Sequence, residues 1–184
     1  MTKDEITARA IMRAAKILGS TSLLAFVVFL FCGPWHVVNL SRSVLGALLI
    51  NLILSIAFFV QHSGMVRQSF QDGLAKIVPP YLTAAIYAIA SGLTLFAVFI
   101  LWQPTDMLLV SAGGPWRWLL RGMFLAALLG FSRGTKSLGK LDAFGARPIK
   151  VQFFGKREKT PVLTIRGLYR WMRHPLYTMV IVMI

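Results

Sequence analysis

Acidic residues and cysteines are scarce in this chain of 184 residues. Only 6 residues are Asp or Glu against 20 Lys or Arg, so the formal net charge is +14 at pH 7. The single cysteine, Cys32, excludes an intrachain disulfide framework, and no His/Cys cluster has the spacing of a metal site. No glycine-rich phosphate loop follows a strand, and no Ser/His/Asp arrangement stands out. The sequence therefore predicts no metal and no serine-hydrolase mechanism.

Charged residues of both signs make up only 14% of the chain, whereas 57% of the residues are hydrophobic and the mean hydropathy is +0.69. This composition is typical of an integral membrane protein. The basic residues lie between and beside apolar runs, as they do in loops that face an anionic membrane leaflet. The charge distribution therefore predicts a lipid bilayer as partner and argues against nucleic acid.

Long apolar runs divide the chain into predicted membrane spans. Four runs are interpreted as full spans, at residues 16–33, 44–63, 81–102 and 116–131. A fifth run, at 175–184, is about half as long as a membrane span. The sequence thus predicts an all-α, polytopic membrane helix bundle, a single integral membrane domain over 1–184. It has four full spans plus a fifth that is cut short at the C-terminus, so we expect a further C-terminal portion.

Lysine and arginine are unevenly distributed over the segments between these spans. The N-terminal segment holds four of them and the stretch 132–174 holds eleven, whereas 34–43 has only Arg42 and 103–115 has none. By the positive-inside rule, the N-terminus and the basic 132–174 loop are cytoplasmic. We therefore expect a bacterial-type inner membrane protein with its basic loop, including a short interfacial helix, on the cytoplasmic side.

The most basic part of the chain meets an apolar run at Arg173-His174-Pro175. Proline disfavours a helix at the residue before it and suits the first turn of a helix, so a helix is predicted to start at Pro175. A guanidinium, an imidazole and the positive end of a helix then lie together, which suits an anionic group of a ligand. This joint is one candidate site.

Two interpretations of this segment remain open on local chemistry alone. Arg166, Arg170 and Arg173 are spaced to share one helical face, where they would touch lipid phosphates from an amphipathic interfacial helix. Alternatively, Arg173, His174 and Tyr177 close a ligand pocket.

Two further stretches carry candidate side chains. Gln61 and His62 lie at the cytoplasmic end of the second predicted span, on the same membrane face as His174. Asp142, one of the few acids, lies two residues before Phe144 in the basic loop. It either pairs with a neighbouring arginine or accepts hydrogen bonds from a ligand.

Two motifs resemble those of known membrane enzymes. The pattern Thr164-x-x-Gly167-x-Tyr169-x-x-x-Arg173-His174-Pro175-x-Tyr177 resembles the signature of the isoprenylcysteine carboxyl methyltransferase and phospholipid methyltransferase superfamily. Gln61-His62-Ser63-x-Met65-x-Arg67, with Ile77-Val78-Pro79-Pro80, is similar to a narrower branch, the methanethiol S-methyltransferases and NnrU-like proteins. With Asp142-x-Phe144-Gly145 included, the resemblance spans roughly residues 50–184.

The resemblance implies an S-adenosylmethionine-dependent methyltransferase. The acceptor would be a small, methanethiol-like thiol, or a lipid-soluble or isoprenyl thiol or carboxylate. It assigns catalysis to His174 and Arg173, and cofactor binding to the motif residues Gly167, Tyr169, Arg173, His174, Pro175 and Tyr177. The resemblance also assigns contacts with the acceptor to four residues, Gln61, His62, Asp142 and Phe144.

Two other functions are compatible with the sequence. Sterol reductases share parts of this architecture, which allows an NADPH-dependent enzyme, although no dinucleotide fingerprint is present. A non-catalytic membrane scaffold or accessory protein of the same fold is the second alternative.

Overall fold

A computed structural model describes residues 2–105, 113–137, 142–155 and 167–183. Within these ranges the chain forms helices and loops without a strand, which confirms the all-α prediction. The α-helices are α1 (Lys3–Cys32), α2 (Val44–Met65), α3 (Gln68–Leu74), α4 (Thr83–Leu101), α5 (Gly114–Ser137), α6 (Ala146–Phe154) and α7 (Pro175–Met183). Short 3-10 turns cover Pro80–Leu82 and Gly167–Arg170.

The chain divides into two compact units. The first unit comprises Met1–Met107 and Asp142–Glu158, and therefore contains α1 to α4 and α6. The second unit comprises Leu108–Leu141 and Lys159–Ile184, and contains α5, the 3-10 turn Gly167–Arg170 and α7.

Three of the described helical segments are long and apolar enough to cross a membrane: Lys3–Cys32, Val44–Met65 and Pro80–Leu101. They contain or overlap the first three predicted spans, and they support insertion into a membrane. The fourth predicted span, 116–131, lies inside α5, which is not among these three segments. Arginines near both ends of α5 lower its hydropathy. The fourth and fifth spans remain predictions.

Small residues hold α1 against α4 in the first unit. A Cβ added at Gly92 would lie 3.2 Å from the backbone carbonyl of Leu18, so the two helices approach closely at this level. The core beside this contact is built largely from alanines and consists of Ala8, Ala15, Leu82, Ala85, Ala88 and Ile149. Small side chains let helix backbones approach closely, and this packing is a main source of helix association in membranes.

Aromatic side chains fill the space between α1 and α4 towards the other end of the helices. The ring of Phe99, only 1% exposed, lies 5.2 Å from that of Phe29 and 6.2 Å from that of Phe26. Trp102 meets Phe29 edge to face, with the ring centroids 5.5 Å apart. Each such aromatic pair stabilises the fold by about 0.5–1.5 kcal/mol, in addition to the stabilisation from burying the surface of the rings.

A buried amide pair joins the end of α4 to α2. The side chain of Asn51 donates to the carbonyl of Gln103 at 2.7 Å and accepts from its N–H at 2.8 Å. The Gln103 side chain in turn accepts from the N–H of Leu40 and donates to the carbonyl of Val38. The network therefore satisfies backbone groups that the end of α4 and the 34–43 loop leave unpaired.

Glycines also set the packing of the second unit. A Cβ at Gly130 would meet the sulfur of Met179 at 2.6 Å, and one at Gly134 would meet Leu176 at 2.8 Å. Helix α7 therefore lies close against α5, with Pro175 buried at its first position.

The predicted interfacial helix differs from the structure over its described part. Gly167 has φ +60°, a left-handed conformation that ends regular helix geometry, and only one 3-10 turn follows it. Residues 171–174 are not helical. Arg170 and Arg173 therefore do not share one α-helical face, and Arg166 lies outside the described residues.

The hydrogen bonds between Asn51 and Gln103 should contribute measurably to the stability of the fold. We expect Asn51→Ala to lower the free energy of unfolding by about 1–3 kcal/mol, because it leaves the buried N–H and carbonyl of Gln103 without partners. Chemical unfolding in detergent measures the change. The matched control is Asn39→Ala, at an exposed asparagine in the neighbouring loop, which should change stability little. Equal losses for both variants would contradict the role of the network.

Candidate functional site

A small cavity of about 150 Å³ lies within the first unit. Its walls come from α1, α2, α4 and the turn before α6. The lining residues are Gly19, Ser22, Leu23, Phe58, His62, Tyr87, Ala88, Ser91, Gly92, Leu95, Ala143 and Phe144. Most of these side chains are apolar, so the few polar groups among them define the chemistry of the cavity.

The imidazole of His62 is held from several directions. Its Nδ1 lies 3.3 Å from the hydroxyl of Ser91, and the hydroxyl of Tyr87 lies 3.2 Å from each ring nitrogen. The ring also stacks on Phe58, with centroids 5.3 Å apart. The two hydroxyls can donate to the imidazole or accept from it, so the surroundings hold either neutral tautomer.

Gln61 is in a different position from its neighbour His62. Its amide oxygen accepts from the hydroxyl of Thr94 at 2.7 Å, and its nitrogen donates to Ser91 at 3.3 Å and to the sulfur of Met65 at 3.1 Å. Gln61 does not line the cavity. It fixes α2 to α4 and contacts Ser91, which does line the cavity.

The sequence analysis missed the contribution of α4. Tyr87, Ser91 and Thr94 follow a spacing of i, i+4 and i+7, so they form a polar stripe on one face of an otherwise apolar helix. The stripe meets the two polar residues at the end of α2. Polar groups inside a membrane segment usually face the protein interior, and that signal was present in the sequence.

Asp142 and Phe144 have different structural roles. Both carboxylate oxygens of Asp142 accept backbone N–H groups at the start of α6, from Ala146 at 2.8 Å and from Arg147 at 2.5 Å. The sequence did not predict this cap of α6. The ring of Phe144 lies against Gly19 and forms part of the cavity wall, so Asp142 positions the segment that closes the cavity.

The Arg-His-Pro motif lies in the second unit. The rings of His174 and Tyr177 are 6.0 Å apart and nearly perpendicular, and the side chains of Arg173 and His174 are exposed. Partial burial raises the pKa of Tyr169 above its ordinary value, because desolvation disfavours the phenolate. The first turn of α7, beginning at Pro175, directs unpaired N–H groups towards this end of the helix. Among the described residues no group of His, Cys, Asp and Glu could hold a metal.

Several methanethiol S-methyltransferases are similar to this chain. Methanethiol S-methyltransferase 2 of Bradyrhizobium diazoefficiens is 34% identical over 131 residues, which cover 71% of this chain and 50% of that protein. The enzyme of Pseudomonas deceptionensis is 33% identical over 144 residues, with the same coverage of 71% and 50%. That of Pseudomonas sp. (strain GM41(2012)) is 30% identical over 139 residues, covering 71% and 51%. The resemblance to the methanethiol S-methyltransferase branch is confirmed.

The similarity to the methanethiol S-methyltransferases covers part of those proteins. The chain spans about half the length of the curated relatives it matches. No family model matches the chain, and no solved structure matches it significantly.

Alanine substitutions at two glycines test how closely the turn that carries Phe144 approaches α4. Gly145 and Gly155 flank α6 with φ +63° and +59°, but only at Gly145 would a Cβ overlap backbone atoms, those of Ala84 and Ala85. We expect Gly155→Ala to lower the free energy of unfolding by about 1–2 kcal/mol through left-handed strain alone. Gly145→Ala should lower the free energy of unfolding by clearly more, because the added Cβ also overlaps the backbone of α4. Chemical denaturation measures the free energy of unfolding of both variants. Equal losses would contradict the close approach of this turn to α4.

Proposed function

We propose that this protein is a membrane-embedded, S-adenosylmethionine-dependent methyltransferase whose acceptor is a small thiol. The observation that carries the proposal is the cavity beside His62, which is small, largely apolar and provided with one imidazole. Relatives that are named methanethiol S-methyltransferases agree with this acceptor class.

The volume of the pocket suits a small acceptor. An engineered cavity of about 150 Å³ holds benzene, and the cavity here has the same volume. A thiol with a short alkyl group therefore fits the space inside the first unit, and its apolar part would contact Leu23, Leu95 and Phe144.

His62 is the proposed base in this cavity. The thiolate is the reactive form of a thiol, so the acceptor must lose its proton. A neutral imidazole accepts protons near physiological pH, and Tyr87 and Ser91 hold the ring of His62 in place. His174, which the sequence motif favours as a catalytic residue, is the other candidate for this proton.

The Arg-His-Pro motif is the proposed cofactor site in the second unit. Its chemistry fits the amino-acid carboxylate of S-adenosylmethionine, because an exposed guanidinium, an imidazole and the start of α7 occur in succession. When bound, S-adenosylmethionine supplies a methyl group on a sulfonium that is already a good leaving group. Arg173 would pair with the carboxylate, and His174 would donate a hydrogen bond.

The aromatic residues of the motif would shape the remainder of that site. Faces of Tyr169 and Tyr177 attract a cation through their π electrons, which suits a sulfonium. Gly167 and Pro175 would set the backbone on either side. S-adenosylmethionine held by these residues would supply its methyl group to the acceptor sulfur, and the base, His62 or His174, would take up the thiol proton. Alignment and exclusion of water are the main contributions of the protein.

Calorimetry of cofactor binding tests the motif. We expect Arg173→Ala to weaken the affinity for S-adenosylmethionine about 10- to 100-fold, the loss typical of one charge-assisted hydrogen-bonded pair. Arg42→Ala, at an exposed arginine far from the motif in sequence, is the matched control and should bind normally. Unchanged affinity in Arg173→Ala would reject the assignment. Binding of NADPH without S-adenosylmethionine would favour the reductase alternative, and binding of neither would favour a scaffold.

The rate of methyl transfer to the acceptor tests whether the acceptor binds in the cavity. Ser22 is 2% exposed and lines the cavity, so Ser22→Leu fills part of it. With labelled cofactor and methanethiol, we expect kcat/KM to fall at least about 10-fold, since the acceptor loses its oriented position. Cofactor affinity should not change. Ser20→Leu, at an exposed serine on the same helix, is the matched control.

The acceptor itself is tested with the unaltered protein. Methanethiol, an isoprenylcysteine analogue and phosphatidylethanolamine are offered separately, and methyl transfer to methanethiol alone is the expected result. Transfer to either lipid-like acceptor and not to methanethiol would reject the small-thiol proposal. His62→Gln should reduce turnover at neutral pH and recover in part at higher pH, where thiolate forms without a base.

A further inference from the structure

A basic cleft of about 470 Å³ lies within the second unit, apart from the motif residues assigned above to the cofactor carboxylate. It is formed by the last turn of α5 and the 3-10 turn that precedes α7. The lining residues are Arg133, Lys136, Ser137, Gly167, Leu168, Arg170 and Trp171. Arg173 and His174 do not line it, so the cleft requires its own explanation.

Three cationic side chains face this cleft from two separate segments. Arg133 and Lys136 come from α5, and Arg170 comes from the 3-10 turn. The stretches 108–141 and 159–184, which make up the second unit, contain no Asp or Glu. The unit therefore has no carboxylate of its own to neutralise these cations, which points to an anionic ligand.

The cleft has a defined wall. Gly167 has φ +60°, and a Cβ there would lie 2.6 Å from the hydroxyl of Ser137, so the backbone of the 3-10 turn lies directly against α5. The Ser137 hydroxyl already donates to the carbonyl of Arg133 at 2.9 Å. The Ser137 hydroxyl therefore has no proton left to donate to an anion, and Arg133, Lys136 and Arg170 are the charged donors that line the cleft.

The surroundings of the cleft favour a membrane lipid over a soluble anion. Trp171 lines the cleft with 87% of its surface exposed, and tryptophan concentrates at the level of the lipid headgroups. Exposed apolar residues on the adjoining helices, Leu129 on α5 and Ile181 on α7, would contact acyl chains. Basic pockets beside membrane helices commonly bind lipid headgroups.

We propose that this cleft binds the phosphate of an anionic phospholipid. Arg133, Lys136 and Arg170 donate hydrogen bonds to the phosphate oxygens, and Trp171 lies beside the glycerol region. The cleft shares Gly167 with the proposed cofactor site, but its charged residues are different, and its occupancy is measured without turnover.

The affinity for labelled phosphatidylglycerol tests the site. The full chain, delipidated in an uncharged detergent, is titrated with this lipid and with phosphatidylcholine, and fluorescence anisotropy reports binding. We expect preferential binding of phosphatidylglycerol. A surface charge near an anionic lipid is worth about 5-fold in affinity, so replacing all three cations with Gln should weaken binding about 100-fold. Arg170→Gln alone should weaken it about 5-fold, which keeps the test valid if the triple variant fails to fold.

A matched triple variant controls for overall charge. Lys16→Gln, Arg67→Gln and Lys76→Gln together remove the same number of exposed charges from the first unit, and the affinity for phosphatidylglycerol should persist. Equal losses in the two triple variants would overturn the proposal, since nonspecific attraction would explain the binding. Displacement of the lipid by millimolar inorganic phosphate or by S-adenosylmethionine would also overturn it, because the natural occupant would then be soluble.

Discussion

The close approach of α1 to α4 is the constraint on which the first unit depends. At Gly92 the backbone of α1 occupies the volume that a side chain would need, and at Gly19 the same is true of the ring of Phe144. Both glycines also line the small cavity. The contact that packs the helices therefore also determines how much space remains between them. A larger residue at either position would alter helix packing and cavity size together.

Polar side chains within an apolar setting give this unit its specificity. In the first half of α2, Asn51 fixes the backbone of Gln103, and near the C-terminal end of α2, His62 and Gln61 meet the hydroxyls of α4. Helices in lipid have little hydrophobic reason to prefer one rotation over another, so hydrogen bonds such as these select the rotation. The rotation of α2 and α4 places His62 at the cavity wall.

Much of the helical architecture could be predicted from the sequence, because long apolar runs have few alternatives in a membrane. His62 and Phe144 were also singled out, and the structure brings both to one cavity. The sequence did not indicate that Asp142 caps α6, since capping depends on where a helix begins. It also missed the left-handed Gly167, which interrupts the arginine spacing that suggested a regular helix. These details depend on tertiary contacts and backbone conformation, which periodicity does not report.

The absence of carboxylates from the second unit has a consequence for its topology. Arg133, Lys136, Arg170 and Arg173 are basic residues, and the stretches 108–141 and 159–184 of the unit contain no Asp or Glu to offset them. Moving a charge across a membrane against a potential costs about 2.3 kcal/mol per 100 mV. In a polarised membrane, moving these four residues to the positive side would therefore cost a free energy that grows with the potential.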